Sequence, residues 1–88
     1  MKTIEGFKLR KLGNEYILVG ESMALINFNK MITLNETAAF LWKEAEKGEF
    51  DAESLTRALC EEYEVTPERA MTDVTATIES WLKAGVVE

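Results

Sequence analysis

Apolar and polar residues alternate along the first third of the chain with the period of two that is typical of β-strands. The alternation is seen in residues 6–12, whereas the second strand, residues 15–19, is apolar on both faces, as is typical of a central strand. Gly13-Asn14 between them suits the positive φ angles of a tight turn. A third apolar segment follows at residues 23–28. The pattern therefore predicts a three-stranded antiparallel β-meander.

From Asn35 onward the apolar residues recur with the helical period of 3.6. Three helices are predicted, at about residues 36–47, 52–63 and 67–84. Capping residues precede all three, and glycines suited to a left-handed end follow the first and the third: Asn35, Asp51 and Thr66, then Gly48 and Gly85. The 88 residues are therefore predicted to form one α+β domain, with three strands followed by three helices.

The third predicted helix carries two neighbouring rows of residues. Its apolar stripe is expected to face the core and consists of Met71, Val74, Ile78, Trp81 and Leu82. A flank of mostly short side chains runs beside the stripe and consists of Ala70, Asp73, Thr77, Ser80 and Ala84. If this flank faces the third strand, the two form a groove wide enough for a peptide. Otherwise it is a solvated surface or a tight helix contact.

The two edges of the predicted sheet differ in charge. The first strand carries Lys8, Arg10 and Lys11, which discourage the addition of a further strand, whereas residues 23–29 contain neither a charge nor a proline. An extended partner would be able to pair with this third strand through main-chain hydrogen bonds. The alternative is that Val86-Val87 or a helix covers the edge.

Composition excludes most catalytic and metal-binding chemistry. The chain has no histidine and a single cysteine, Cys60, so neither a zinc site of the Cys/His type nor a disulfide can form within it. We predict no catalytic residue, no metal and no cofactor. The lone thiol, together with the lack of an apolar segment for secretion or membrane crossing, predicts a cytoplasmic protein.

Charge is unevenly distributed along the chain. Residues 1–34 contain five basic and three acidic residues, and residues 35–88 contain five basic and thirteen acidic residues, which gives the net charge of −6. A helical half this acidic repels phosphates, so the charge pattern argues against nucleic-acid binding.

One aromatic residue departs from the helical pattern. Phe40 falls on the polar side of the first predicted helix, near Glu36, Lys43 and Lys47. It is either a contact for a partner or a residue buried under a terminal segment.

The most specific motif runs from Ile32 to Trp42, with the sequence Ile-Thr-Leu-Asn-Glu-Thr-Ala-Ala-Phe-Leu-Trp. It is followed by Gly48, by a capped helix that ends in Glu62-Tyr63-Glu64-Val65, and by a last helix that contains Trp81-Leu82 and ends at Ala84-Gly85-Val86-Val87. Together these features resemble the PqqD family, and the resemblance spans nearly the whole chain.

The resemblance implies a winged-helix-turn-helix-like fold and the function of a RiPP recognition element. Such domains bind the leader region of a ribosomally synthesised precursor peptide and present it to a modifying enzyme, commonly a radical SAM protein. In relatives the leader adds as a strand beside the third strand and rests against the third helix. The implied peptide-binding residues are Leu25, Ile26, Asn27 and Phe28 of the strand and Ala70, Asp73, Val74 and Thr77 of the helix.

Two other functions are compatible with the predicted fold. A winged-helix DNA-binding protein is disfavoured because the third helix offers only Arg69 and Lys83 against three acidic residues. A protein–protein adaptor would instead use the open edge to dimerise. The resemblance does not specify the peptide product, since the family serves pathways other than pyrroloquinoline quinone (PQQ) synthesis.

Overall fold

The computed structural model describes residues 1–20 and 32–88 of the chain. Within these residues three strands precede three helices, which confirms the predicted α+β class, although the third of these strands is not the segment that the pattern predicts. The strands are β1 (Phe7–Leu12), β2 (Glu15–Gly20) and β3 (Ile32–Leu34), and the helices are α1 (Glu36–Ala45), α2 (Ala52–Glu62) and α3 (Pro67–Ala84). The strand predicted at residues 23–28 lies outside the described residues.

The sheet is antiparallel, in the order β1-β2-β3. β1 and β2 pair along their whole length, from Phe7 opposite Gly20 to Leu12 opposite Glu15. β3 pairs only with the first half of β2, from Tyr16 opposite Leu34 to Leu18 opposite Ile32. β2 is thus the central strand. Its consecutive residues Ile17 and Leu18 are both buried, as expected of a strand that is covered on both faces.

The predicted capping residues begin all three helices. Each accepts a hydrogen bond from the backbone N–H three residues later: Asn35 from Ala38 at 2.7 Å, Asp51 from Ser54 at 2.7 Å and Thr66 from Arg69 at 3.2 Å. The bond from Ser54 lowers the pKa of the Asp51 carboxyl group. These contacts satisfy N–H groups that have no partner within the helix, and so they fix where each helix begins.

The helix ends agree less closely with the sequence. Gly85 ends α3 in the left-handed conformation, with φ of 78°, as predicted. α1, by contrast, ends at Ala45 rather than near residue 47, and its C-cap Glu46 is still right-handed. Gly48 has φ of 156°, so it is not the left-handed cap that was predicted.

The core is one cluster to which every strand and helix contributes. At its centre the rings of Trp42 and Trp81 meet edge to face, with centroids 5.2 Å apart. Two residues assigned to the apolar stripe of α3 are corrected: Met71 and Leu82 are 39% and 48% exposed. They lie at the margin of the stripe, and the buried face of α3 is narrower and consists of Ala70, Val74, Ile78 and Trp81.

The two ends of the chain pair with each other. Thr3 forms an antiparallel bridge with Val87, and the backbone N–H of Ile4 donates to the carbonyl of Val86 at 2.9 Å. Both valines are buried. The C-terminal segment therefore packs against the N-terminal one. None of the helices in the described part of the chain is long and apolar enough to cross a membrane.

Candidate functional site

β3 is an edge strand in the part of the sheet that the structure describes. It pairs with β2 on one side, and within residues 1–20 and 32–88 no strand pairs with its other side. Val87 pairs with Thr3. An edge of this kind presents unpaired backbone donors and acceptors to whatever lies beside it.

A groove lies between β3, the start of α1 and the middle of α3. It consists of two adjoining cavities of about 240 and 300 Å³, which share Asn35, Ala38, Ala76 and Thr77 in their walls. The first cavity is also lined by Thr33, Leu34, Ser80 and Trp81, and the second by Thr37 and Asp73. We call this feature the β3–α3 groove.

Small side chains on α3 keep the groove open. Ala76 and Thr77 lie three and four residues after Asp73, and Ser80 lies four and three residues after them, which places all four on one face of the helix. Ala76 and Ser80 are exposed, and Thr77 is half-buried. Because none of these side chains is longer than that of Asp73, the surface between the helix and the strand stays concave.

The bottom of the groove is apolar and its rim is polar. Leu34 and Trp81 line the first cavity and are only 6% and 1% exposed. The Thr77 hydroxyl donates to the carbonyl of Asp73 at 2.8 Å, so its hydrogen is already engaged. Within the described residues, no hydrogen bond or ion pair engages the exposed Asp73 carboxylate. The groove therefore suits a ligand with an apolar face and a hydrogen-bonding backbone, and it offers one negative charge.

The structure separates the predicted helix residues into two groups. Asp73 and Thr77 line the groove. Ala70 and Val74 are fully buried and do not line the groove, so their contact with a peptide stays a prediction; Val74 faces the core, as its place in the apolar stripe predicts. They lie on the same face of α3 as Ile78 and Trp81, which packs against the rest of the core. The predicted strand residues Leu25, Ile26, Asn27 and Phe28 lie outside the described residues.

Sequence reasoning missed several groove residues. The sequence-based prediction assigns Thr33 and Leu34 to no strand, and it places neither Ala38 nor Ala76 in the groove. A signal for β3 was present, because Ile32, Thr33 and Leu34 alternate and include two β-branched residues. Ala76 completes the predicted small flank of α3 at the spacing of three from Asp73.

The described residues show no acid–base or metal centre. Across residues 1–20 and 32–88, no group of three or more Cys, Asp or Glu side chains is placed to hold a metal ion. The free Cys60 is half-buried.

Comparison with known proteins agrees with this description. Residues 15–87 match the family model of coenzyme PQQ synthesis protein D (PqqD). Among solved structures, the chain is similar to TbiB1 in complex with the TbiA(beta) leader peptide, with a TM-score of 0.79 and 18% sequence identity. That similarity covers 100% of this chain and 95% of the other, so the two share their fold from end to end. No curated protein sequence matches the chain significantly.

Proposed function

The chain belongs to the PqqD family, and from this premise we propose that it is a RiPP recognition element. In this function it binds the leader region of a ribosomally synthesised precursor peptide and presents the peptide to a modifying enzyme. The observation that carries the proposal is the β3–α3 groove, in which an edge strand and a helix flank of small residues face the same concave surface.

The peptide backbone supplies most of the affinity in this proposal. The leader adds as an extended strand beside Ile32–Leu34 and forms main-chain hydrogen bonds with the edge of β3. Backbone N–H groups alternate in direction along a strand, so either Thr33 or both Ile32 and Leu34 direct theirs away from β2. The sheet then grows from three strands to four.

Side chains of the leader supply selectivity. Alternate residues of an added strand point into the groove, where Leu34 and Trp81 offer an apolar surface. Asp73 stands at the other end of the groove and is placed to pair with a basic residue of the leader. Ordering a flexible peptide costs about 2–5 kcal/mol, so we expect a dissociation constant in the micromolar range.

The proposal assigns the chemistry to the partner. The protein itself holds the peptide, and a peptide-modifying enzyme, which we infer to be a radical SAM protein, carries out the reaction. We further propose that both work in the cytoplasm, which is supported by the lone free thiol of Cys60.

DNA binding is the main alternative for a fold of this kind. The charge of α3 disfavours it, because Arg69 and Lys83 stand against Glu68, Asp73 and Glu79. The groove also presents the carboxylate of Asp73, which repels phosphate.

An amide NMR titration separates these functions. The labelled protein is titrated with the leader of the short peptide encoded beside its gene, and separately with duplex DNA. We expect the leader alone to cause shifts, concentrated at residues 32–38 and 73–81. Shifts on the helices with DNA and none with the leader would refute the proposal, and dimerisation without peptide would favour an adaptor.

A further inference from the structure

A second concave surface lies on another side of the molecule. It is a cavity of about 150 Å³ whose walls come from β2, α1 and the residue after α2, namely Tyr16, Glu36, Ala39, Phe40, Lys43 and Tyr63. We call it the aromatic cup, because three of these residues are aromatic. All three rings are half-buried, with one side packed against the core.

The cup combines aromatic rings with positive charge. The rings of Phe40 and Tyr63 meet edge to face, with centroids 5.7 Å apart. The ammonium groups of Lys11 and Lys43 lie 5.7 and 6.0 Å from the centroid of the Tyr16 ring, within the range of cation–π attraction. Both lysines are exposed, so their charges face solvent beside a half-buried ring.

The rim of the cup on the Tyr63 side differs in charge from the rim on the Tyr16 side. Burial raises the pKa of the Tyr63 phenol, and the negative charges of Glu36 and Glu62 raise it further. The phenol is therefore a neutral hydroxyl that can donate a hydrogen bond. Glu36 also lines this rim, so the cup is cationic on the Tyr16 side and anionic on the Tyr63 side.

The cup and the β3–α3 groove are separate sites. They have no lining residue in common. α1 stands between them, because Ala38 faces the groove and Phe40, two residues later, lies about 200° around the helix axis. A ligand in the groove therefore leaves the cup free for a second partner.

We propose that the aromatic cup docks an acidic patch of a partner protein that inserts an apolar side chain into the cavity that the rings line. Charge complementarity carries this choice, since two exposed lysines converge on one ring in a chain whose net charge is −6. The partner's acidic group pairs with Lys11 and Lys43, and Glu36 on the far rim fixes its orientation. Resting on the function proposed above, we identify this partner as the enzyme that modifies the peptide.

Charge reversal at the two lysines tests the docking surface. The double variant Lys11→Glu/Lys43→Glu is compared with the wild type and with Lys8→Glu. Lys8 is a matched control because it lies on the same strand as Lys11, three residues away, and so on the other face of the sheet. Calorimetry measures binding to the purified peptide-modifying enzyme from the same gene cluster and, separately, to the leader peptide. Circular dichroism checks that each variant is folded.

We expect the double variant to bind the enzyme about a hundredfold more weakly, and Lys8→Glu to stay within about twofold of the wild type. Leader binding should be unchanged in both. The inference is overturned if the folded double variant binds the enzyme normally, if the wild type does not bind it, or if the lysines instead hold two copies of this chain together. A lysine-dependent enzyme complex without any leader binding would refute the proposed function and leave the docking surface intact.

Discussion

In the part of the sheet that the structure describes, the two edge strands present the same backbone groups but have very different surroundings. β1 is six residues long, and three of them, Lys8, Arg10 and Lys11, are exposed basic residues. β3 is three residues long, carries no charge and borders the β3–α3 groove. Side chains, not backbone chemistry, therefore decide which edge can accept another strand.

A second difference concerns what stands beside each edge. The β3 edge has α3 opposite it, with small residues that leave room for the side chains of an added strand. Long charged side chains line β1, and charges on an edge strand discourage the addition of another strand. Strand addition therefore has two requirements. The edge strand must be free of charged side chains, and the helix opposite it must leave room for the side chains of the added strand.

Removing the support beneath the β3 edge should have the largest effect. Trp81 lies under the groove, is 1% exposed and contacts the rings of Trp42 and Phe50. We expect Trp81→Ala to lower the free energy of unfolding by about 3–5 kcal/mol, because it leaves a large cavity in the core. Urea denaturation measures this loss.

The neighbouring residue provides the control for that substitution. Leu82 is on the same helix but 48% exposed, so Leu82→Ala should cost about 1 kcal/mol or less. Equal losses at the two positions would contradict the view that Trp81 holds the floor of the groove.

Proline substitutions test the backbone of the two edges directly. Either Ile32→Pro or Thr33→Pro removes an N–H that points away from β2. We expect this variant to fold, and its affinity for the leader to fall by more than about tenfold. The matching pair on the other edge is Lys8→Pro and Leu9→Pro. Its folded member should bind normally. Calorimetry with the leader gives the affinities, and amide NMR spectra identify the folded variants.

The two pairs of proline variants distinguish which edge of the sheet binds the peptide. A folded β3 variant with wild-type affinity would mean that the peptide does not pair with this edge. Loss of binding in the folded β1 variant would mean that the other edge is used, in spite of its charges.

A large side chain on α3 tests whether the leader needs the space in front of this helix. It should have the smallest effect of the three sets of substitutions. Ala76→Arg places a long side chain in the groove, and we expect leader binding to weaken about tenfold. Thr75→Arg adds the same charge at an exposed position one residue earlier, about 100° around the helix, and should leave binding within about twofold. Fluorescence anisotropy of a labelled leader measures the affinity of both variants. Equal losses of affinity would mean that the added charge, and not the filled groove, weakens binding.

The helices were largely predictable from the sequence because the residues that begin and end a helix lie next to it in the chain. The capping residues Asn35, Asp51 and Thr66 form the hydrogen bonds expected of them, and Gly85 adopts the expected left-handed conformation. Each of these signals depends on a few consecutive residues. The end of α1 was placed too late, since nothing in its sequence forces the helix to stop at Ala45.

The groove was only partly predictable because it depends on contacts between distant segments. Asp73 and Thr77 of the predicted flank line the groove, whereas Ala70 lies in the core, because an alanine side chain is small enough for either position. β3 was missed as a strand. Three residues are too few for a periodic pattern, and their pairing with Tyr16–Leu18 is set by the fold.

The contact between Trp42 and Trp81 has an optical consequence. These are the chain's two tryptophans, their rings lie 5.2 Å apart, and Trp81 also borders the groove. At this separation the two indoles can exchange excitation energy, and the environment of one affects the emission of both. The protein thus carries a built-in fluorophore pair at the floor of its binding surface, whose emission should report occupancy of the groove without a dye on either partner.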